Sequence, residues 1–257
     1  MDWSPSKVIR IESGNVGISI SDLRVLLQYY EVSDAAQVDE LIAIARIAKT
    51  RPWWERYKAT VTSPAFHAYL SYEGYATILR GFSPFRIPGI LQTEEYMNEV
   101  FQAGGVSERD ASLRTELRLE RQDRLIRPDG PNLNFILDES VIRRPVRSSS
   151  SMRRQLAHLI QLGEKPNVTI RVMRFLDGMH PKCFSPYLIL EFESSEQDLV
   201  VYLEDNVNST IKEGSSSDDT LDDLSPSTYL EVFFGLEQIA HKEQARELLE
   251  NAARDFT

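Results

Sequence analysis

The sequence predicts an α+β fold, with a helical N-terminal piece ahead of a domain that mixes helices with a small antiparallel or mixed sheet. Two observations carry this. Residues 1–50 read as helices only, each bounded by capping and stopping residues. From residue 51 on, amphipathic or charged helix patterns alternate with short β-branched and aromatic runs such as Val168-Thr169-Ile170-Arg171-Val172. At 257 residues the chain has room for one large domain plus a small module, and can bury a sizeable core without disulfides.

The helical piece comes first. Residues 5–12 form a short helix that Ser4 or Ser6 caps and Gly14 stops. Residues 21–30 form a second, with Ser21 as its cap and Leu23, Leu26, Leu27 and Tyr30 as its buried stripe. Asp34 caps a third, with Val38, Leu41, Ile42 and Ala45 on its apolar side, and Pro52 ends it. Residues 1–32 have the plan of the second half of a helix-turn-helix module, whose first two helices are expected to be absent. Residues 1–50 are therefore taken as a partial module and 51–257 as an α+β sensor or partner-binding domain. Trp53-Trp54, just after Pro52, read either as a hydrophobic hinge tying the two parts together or as a stacking site for a base or flat ligand.

In the larger part, Pro64 opens a helix over 64–76 with Phe66, Tyr69, Leu70, Tyr72 and Tyr75 as an aromatic side, and 76–80 continues it or starts a strand. Phe85 to Thr93 is a structured turn bent at Pro88-Gly89, and Thr93 caps a helix over 94–103. Ser107 caps a long charged helix over 108–127, in which Asp110/Arg114, Glu120/Arg124 and Asp123/Arg127 stand four apart, acid first. Strands follow at 133–137, 168–172, 187–192 and 199–203, a helix at 150–163, and one final helix from Ser225 to Arg254.

Composition narrows the function. A net charge of −10 argues against broad nucleic-acid binding driven by phosphate neutralisation, while leaving room for a local basic face at Lys7 and Arg10. Five of the 39 acidic residues sit close together at 213–223, which reads as a solvated loop or an acidic tail for a basic partner. The single cysteine, Cys183, excludes an internal disulfide framework and fits a reducing cytoplasm. Lys7 and Arg10 break any signal-peptide plan, and no run of about 18 apolar residues suits a membrane. His67, His158, His180 and His241 are scattered, so no metal is expected, and no glycine-rich phosphate loop or nucleophile elbow implies a cofactor.

Several stretches together carry a further pattern. They are Trp3 to Gly14, the run Ile87-Pro88-Gly89-Ile90-Leu91-Gln92-Thr93-Glu94-Glu95-Tyr96, then Arg121-Gln122, Phe135 to Glu139, Pro166 to Ile170 and Val201 to Glu204. With these the chain resembles the actinobacterial xenobiotic-response-element-type helix-turn-helix regulators, antitoxin-like proteins with a C-terminal domain of unknown function. The resemblance implies that 5–12 is a recognition helix in the DNA major groove, with Ser6 and Lys7 near bases or phosphates and Arg10 on a phosphate. It implies DNA, a small protein partner or a small-molecule ligand, and a second copy of the chain as partners. The alternative is a stand-alone ligand-binding protein or biosynthetic enzyme that has lost DNA binding.

One set of polar residues is singled out from the pattern. Glu73 sits on the aromatic helix face, Arg114, Arg118 and Arg121 share one face of the long helix, and Glu139 and Arg143 follow a buried-looking strand. With Gln92 they form either a structural ion-pair network or a ligand pocket, in which an anionic group meets Arg118 or Arg121. In an enzyme, Glu73 or Glu139 would be the acid or base.

Overall fold

The computed structural model describes residues 3–12, 16–48, 52–178, 185–193, 199–204, 209–214, 224–240 and 242–256. The chain separates into two compact units, Met1–Glu55 and Arg56–Thr257.

The first unit holds α1 (Pro5–Glu12), α2 (Ile20–Tyr29) and α3 (Ala35–Ala48). The α2 cap is Ser19 rather than Ser21: Ser19 Oγ accepts from the Asp22 backbone N–H at 2.9 Å. Leu26 and Leu27 are buried as their spacing predicts, and α2 packs on α3, whose Ile42 and Ala45 are buried. Tyr30 is not part of the stripe. It lies past the end of α2, exposed, and donates its hydroxyl to Glu12. Gly14 lies outside the described residues. A 3-10 turn over Trp53–Tyr57 follows, with Trp54 buried and Trp53 half-buried.

The second unit is built on one six-stranded mixed sheet, so the chain is an α+β protein with helices ahead of its sheet domain. Along the chain run α4 (Pro64–Glu73), β1 (Ile78–Ser83), α5 (Glu94–Ala103), α6 (Glu108–Leu125), β2 (Asn132–Asp138), α7 (Glu139–Arg143), α8 (Ser149–Leu162) and β3 (Val168–Met173). Then come β4 (Tyr187–Glu191), β5 (Leu199–Leu203), β6 (Thr210–Glu213), α9 (Pro226–Ile239) and α10 (Lys242–Arg254). The strand order is β3-β2-β1-β4-β5-β6. β1, β2 and β3 are parallel, with helical crossovers leading to β2 and β3, while β4, β5 and β6 add to the other side of β1 as an antiparallel ribbon.

Both sheet faces are buried. Phe82, Ile136, Met173, Ile189 and Val201 form one face with Val232, Phe233 and Leu236 of α9. Leu79, Leu133, Phe135 and Val168 share the other by register. The arginines inside the strands are paired: Arg80 with Glu191 at 2.5 Å, and Arg171 with Glu237 of α9 at 3.1 Å.

Several expected elements differ. Of the two alternatives for 76–80 the strand forms: β1 is a full central strand, because Thr77 and Leu79 enter the ladder beside Glu191 and Leu190. The final helix is two helices, interrupted after α9, where Ala240 leaves helical geometry (ψ 90°) and is fully buried. β6 takes in Glu213, from the segment expected to be a loop, because it pairs with Val200 of β5; 215–223 lie outside the described residues. Of the three ladder pairs on α6, Glu120–Arg124 forms at 3.0 Å. Arg127 instead meets Asp129 beyond the helix end, and Arg114 donates to the Thr60 carbonyl at 3.3 Å.

The turn from α6 into β2 depends on one glycine. A Cβ on Gly130 would stand 2.4 Å from the Leu125 carbonyl oxygen, a backbone atom that cannot swing aside. Gly130→Ala is expected to cost about 1–3 kcal/mol through this overpacking, measured as a lower urea midpoint for the sheet domain at unchanged slope.

A candidate anion-binding cavity at the end of the sheet

The candidate site starts from the turn at Pro88–Thr93. A turn with its backbone buried must find partners for its carbonyls and amides, and here glutamine side chains supply them. Gln92 Nε2 donates to the Ile87 carbonyl at 2.7 Å, and Gln122 Nε2 donates to the Gln92 carbonyl at 2.8 Å. Gln155, fully buried on α8, donates to the Leu91 carbonyl at 2.8 Å and accepts from the Thr93 N–H at 2.6 Å. Thr93 then caps α5 by accepting from the Tyr96 N–H. The turn is thus held from α6, from α8 and from within.

Against this turn lies Arg118 of α6. Its Nη1 donates to Gln92 Oε1 at 2.6 Å and its guanidinium stacks over Phe101 with 4.5 Å to the ring centroid. Gly89 permits the approach, since a Cβ there would stand 3.2 Å from Arg118 Nε. No carboxylate among the described residues forms an ion pair with Arg118. Its surface accessibility is intermediate because a cavity reaches it, yet the surrounding protein desolvates the guanidinium. That burial pushes its pKa down to about 10, with Glu204 opposing the shift and Arg121, Arg86 and Arg114 adding to it. Arg118 therefore stays charged at neutral pH.

One turn on, Arg121 is closed off. Its Nε and Nη2 donate to Glu73 Oε2 and Oε1 at 2.9 and 2.6 Å, and Nη2 also reaches the Tyr69 hydroxyl at 3.0 Å. Tyr69 donates its own hydroxyl to Glu73. Burial alone would push the Arg121 pKa down, but Glu73 and Tyr69 hold it above its ordinary value, while burial and then Glu73 push that of Tyr69 well up.

Arg118 and Arg121 both line a cavity of about 670 Å³ at the C-terminal end of β1, beside the start of β4 and the end of β5. Phe66, Tyr69 and Tyr202 form one aromatic cluster in its wall, with ring centroids 4.8–5.9 Å apart. Phe82, Tyr187 and Tyr229 form a second, at 5.1–5.9 Å. At the wall Arg86 pairs with Glu204, both more exposed. The chain runs from β1 to β2 on one side and later returns to place β4 on the other. Such a strand end is where open sheets with parallel strands leave a crevice for a ligand.

The residues singled out from sequence divide into groups. Glu73, Gln92, Arg118 and Arg121 converge. Glu139 and Arg143 do not join them: they pair with each other along α7 at 3.2 Å, Glu139 also accepts from the Phe175 N–H, and Arg143 reaches Asp255. Neither is in the cavity lining; of the six residues Arg118 and Arg121 line it, and Gln92 and Glu73 stand behind them as their hydrogen-bond partners. Glu73 and Glu139 both have donors on each oxygen, which leaves neither placed as an acid or base. In the first unit Ser6 and Arg10 are exposed on α1, while Lys7 pairs with Asp22 at 3.2 Å and stands 4.0 Å over the Trp3 ring. Among the described residues no cluster of His, Cys, Asp or Glu could hold a metal, and no helix is long and apolar enough to cross a membrane. His180, Cys183 and His241 lie outside those residues.

From the sequence the aromatic side of α4, with Phe66 and Tyr69, is expected and Gln122 enters only through the family pattern; Gln155 and the wall residues Phe82, Tyr187, Tyr202 and Tyr229 are not. A signal for Gln155 existed: it sits in the buried stripe of α8 beside Met152, Leu156 and Leu159, where a polar residue needs a partner.

Residues 66–224 match a family described as "Domain of unknown function (DUF5753)". The chain belongs to this family. Of the cavity residues named above, all but Tyr229 fall inside the DUF5753 match. No curated protein and no solved structure gives a significant match.

Glu73→Ala strands the Arg121 charge in the DUF5753 domain and is expected to cost about 3–5 kcal/mol of stability. The double change Glu73→Leu with Arg121→Met removes both charges and should cost much less. Urea denaturation of the three proteins checks the order.

Proposed function

We propose that the chain is an antitoxin-like transcriptional regulator whose DUF5753 domain is a small-molecule sensor. The observation that carries the sensor half is the cavity of about 670 Å³ with the charged Arg118, which has no ion pair among the described residues, in its wall. Its size is that of small-ligand sites, and two aromatic walls with a few placed polar groups are the usual composition of one. A buried cation costs stability unless something compensates it, so an anionic ligand would complete the site.

The DNA-binding half rests on α1. Ser6 and Arg10 face solvent on a short helix that presents small polar and basic groups, and the proposal has α1 enter a major groove, in a dimer with two such helices. A small protein partner is the other effector this reading allows. A second reading is favoured by the Lys7–Asp22 ion pair, which occupies one of the three proposed DNA contacts: a ligand-binding protein or biosynthetic enzyme without DNA binding.

Fluorescence anisotropy of a labelled duplex from the gene's own promoter, at several salt concentrations, separates the two readings. Specific binding is expected that weakens as salt rises, with Arg10→Ala weakening it on all sequences and reducing the salt slope by about one. Absence of binding even at low salt leaves the second reading.

A further inference from the structure

The charges of the described residues around the cavity do not balance. Among the described residues three cations line it: Arg86, Arg118 and Arg121. Arg86 pairs with Glu204 and Arg121 with Glu73, so among the described residues one positive charge remains, on Arg118. Arg114, one turn earlier on α6, is directed to the Thr60 carbonyl and is not part of the lining. Gln92 takes one N–H of Arg118 and Phe101 covers a face of the guanidinium, which leaves its other edge for an acceptor. A planar guanidinium edge matches a carboxylate, two oxygens against two N–H groups. A single unbalanced positive charge matches one negative charge rather than two.

The rest of the cavity asks for a flat apolar body. The Phe66–Tyr69–Tyr202 cluster and the Phe82–Tyr187–Tyr229 cluster are rigid ring surfaces, and rings pack on other rings in offset or edge-on contact more favourably than on a flexible alkyl chain.

We infer that the DUF5753 cavity binds a monoanionic aromatic carboxylate, with the acid on Arg118 and the ring system against the aromatic walls. This rests on the reading of the cavity as a ligand site, and it needs no DNA binding. Gln92 is a positioning residue in this scheme, since it fixes the guanidinium through Nη1 and is itself held by the Ile87 carbonyl.

Isothermal titration of the full chain at neutral pH tests the inference, with 2-naphthoate, its uncharged isostere 2-naphthamide, octanoate and 2-naphthyl phosphate as probes. The expected result is saturable binding of 2-naphthoate, about 10- to 100-fold tighter than the amide, the range for losing a charge-assisted hydrogen bond to a buried cation. Arg118→Gln is expected to erase the difference between acid and amide while keeping affinity for the amide. The comparison of acid with amide on the unaltered protein stands even if that variant fails to fold. Equal binding of acid and amide overturns the role of Arg118, as does no saturable binding of either. Octanoate binding as tightly as 2-naphthoate overturns the aromatic part, and tighter binding of the phosphate overturns the single-charge argument. Promoter binding is read separately. Its loss leaves a positive titration standing, and a failed titration with promoter binding intact removes the ligand class and leaves the DNA-binding reading.

Discussion

The buried contact of Arg121 with Glu73 and Tyr69 is the constraint on which the second unit is arranged. It ties α6 to α4 across 48 positions of sequence, with both charges almost fully out of water. Such a pair is weak evidence for stability by itself, because desolvation offsets most of its attraction. Its consequence is geometric. The bidentate fork fixes the rotation of α6, and a rotation that directs Arg121 to α4 directs Arg118, three positions earlier, to the turn at Pro88–Thr93.

That turn is the second fixed point. Three glutamines, from the turn itself, α6 and α8, satisfy its backbone, and neutral amides can do this without adding charge to a crowded, poorly hydrated region. Gly89 lets the Arg118 side chain lie close against the backbone. The result is one guanidinium compensated by a ring and an amide where its neighbour is compensated by a carboxylate. Two arginines three residues apart on one helix thus have different chemistry at the cavity they both line: Arg121 locks the fold through Glu73, and Arg118 has no carboxylate partner among the described residues.

The mixed sheet supplies the place for this. Parallel strands on one side of β1 and an antiparallel ribbon on the other leave the end of β1 between segments that diverge, and aromatic side chains from α4, β1, β4, β5 and α9 wall the opening. The family match spans the strands and most of this wall, so the cavity belongs to the shared domain rather than to the helices that precede it.

Local physics determined much of the fold. Caps at Thr93, Ser107 and Ser225 and the alternating runs of β3, β4 and β5 are legible because they depend on residues a few positions apart. Four members of the site, Glu73, Gln92, Arg118 and Arg121, could be named from the same periodicities, since a polar residue on an apolar face must find a partner. What only the tertiary structure decided is which partner. Glu139 and Arg143 have the same credentials in sequence, yet they pair with each other and with Asp255. β1 becomes a strand because neighbours distant in the chain complete its ladder, and β6 because it folds back onto β5 at the sheet edge. The choice of Glu73 for Arg121, leaving Arg118 its charge, is set by long-range packing of α4, α6 and the turn, and spacing along the sequence carries no record of it.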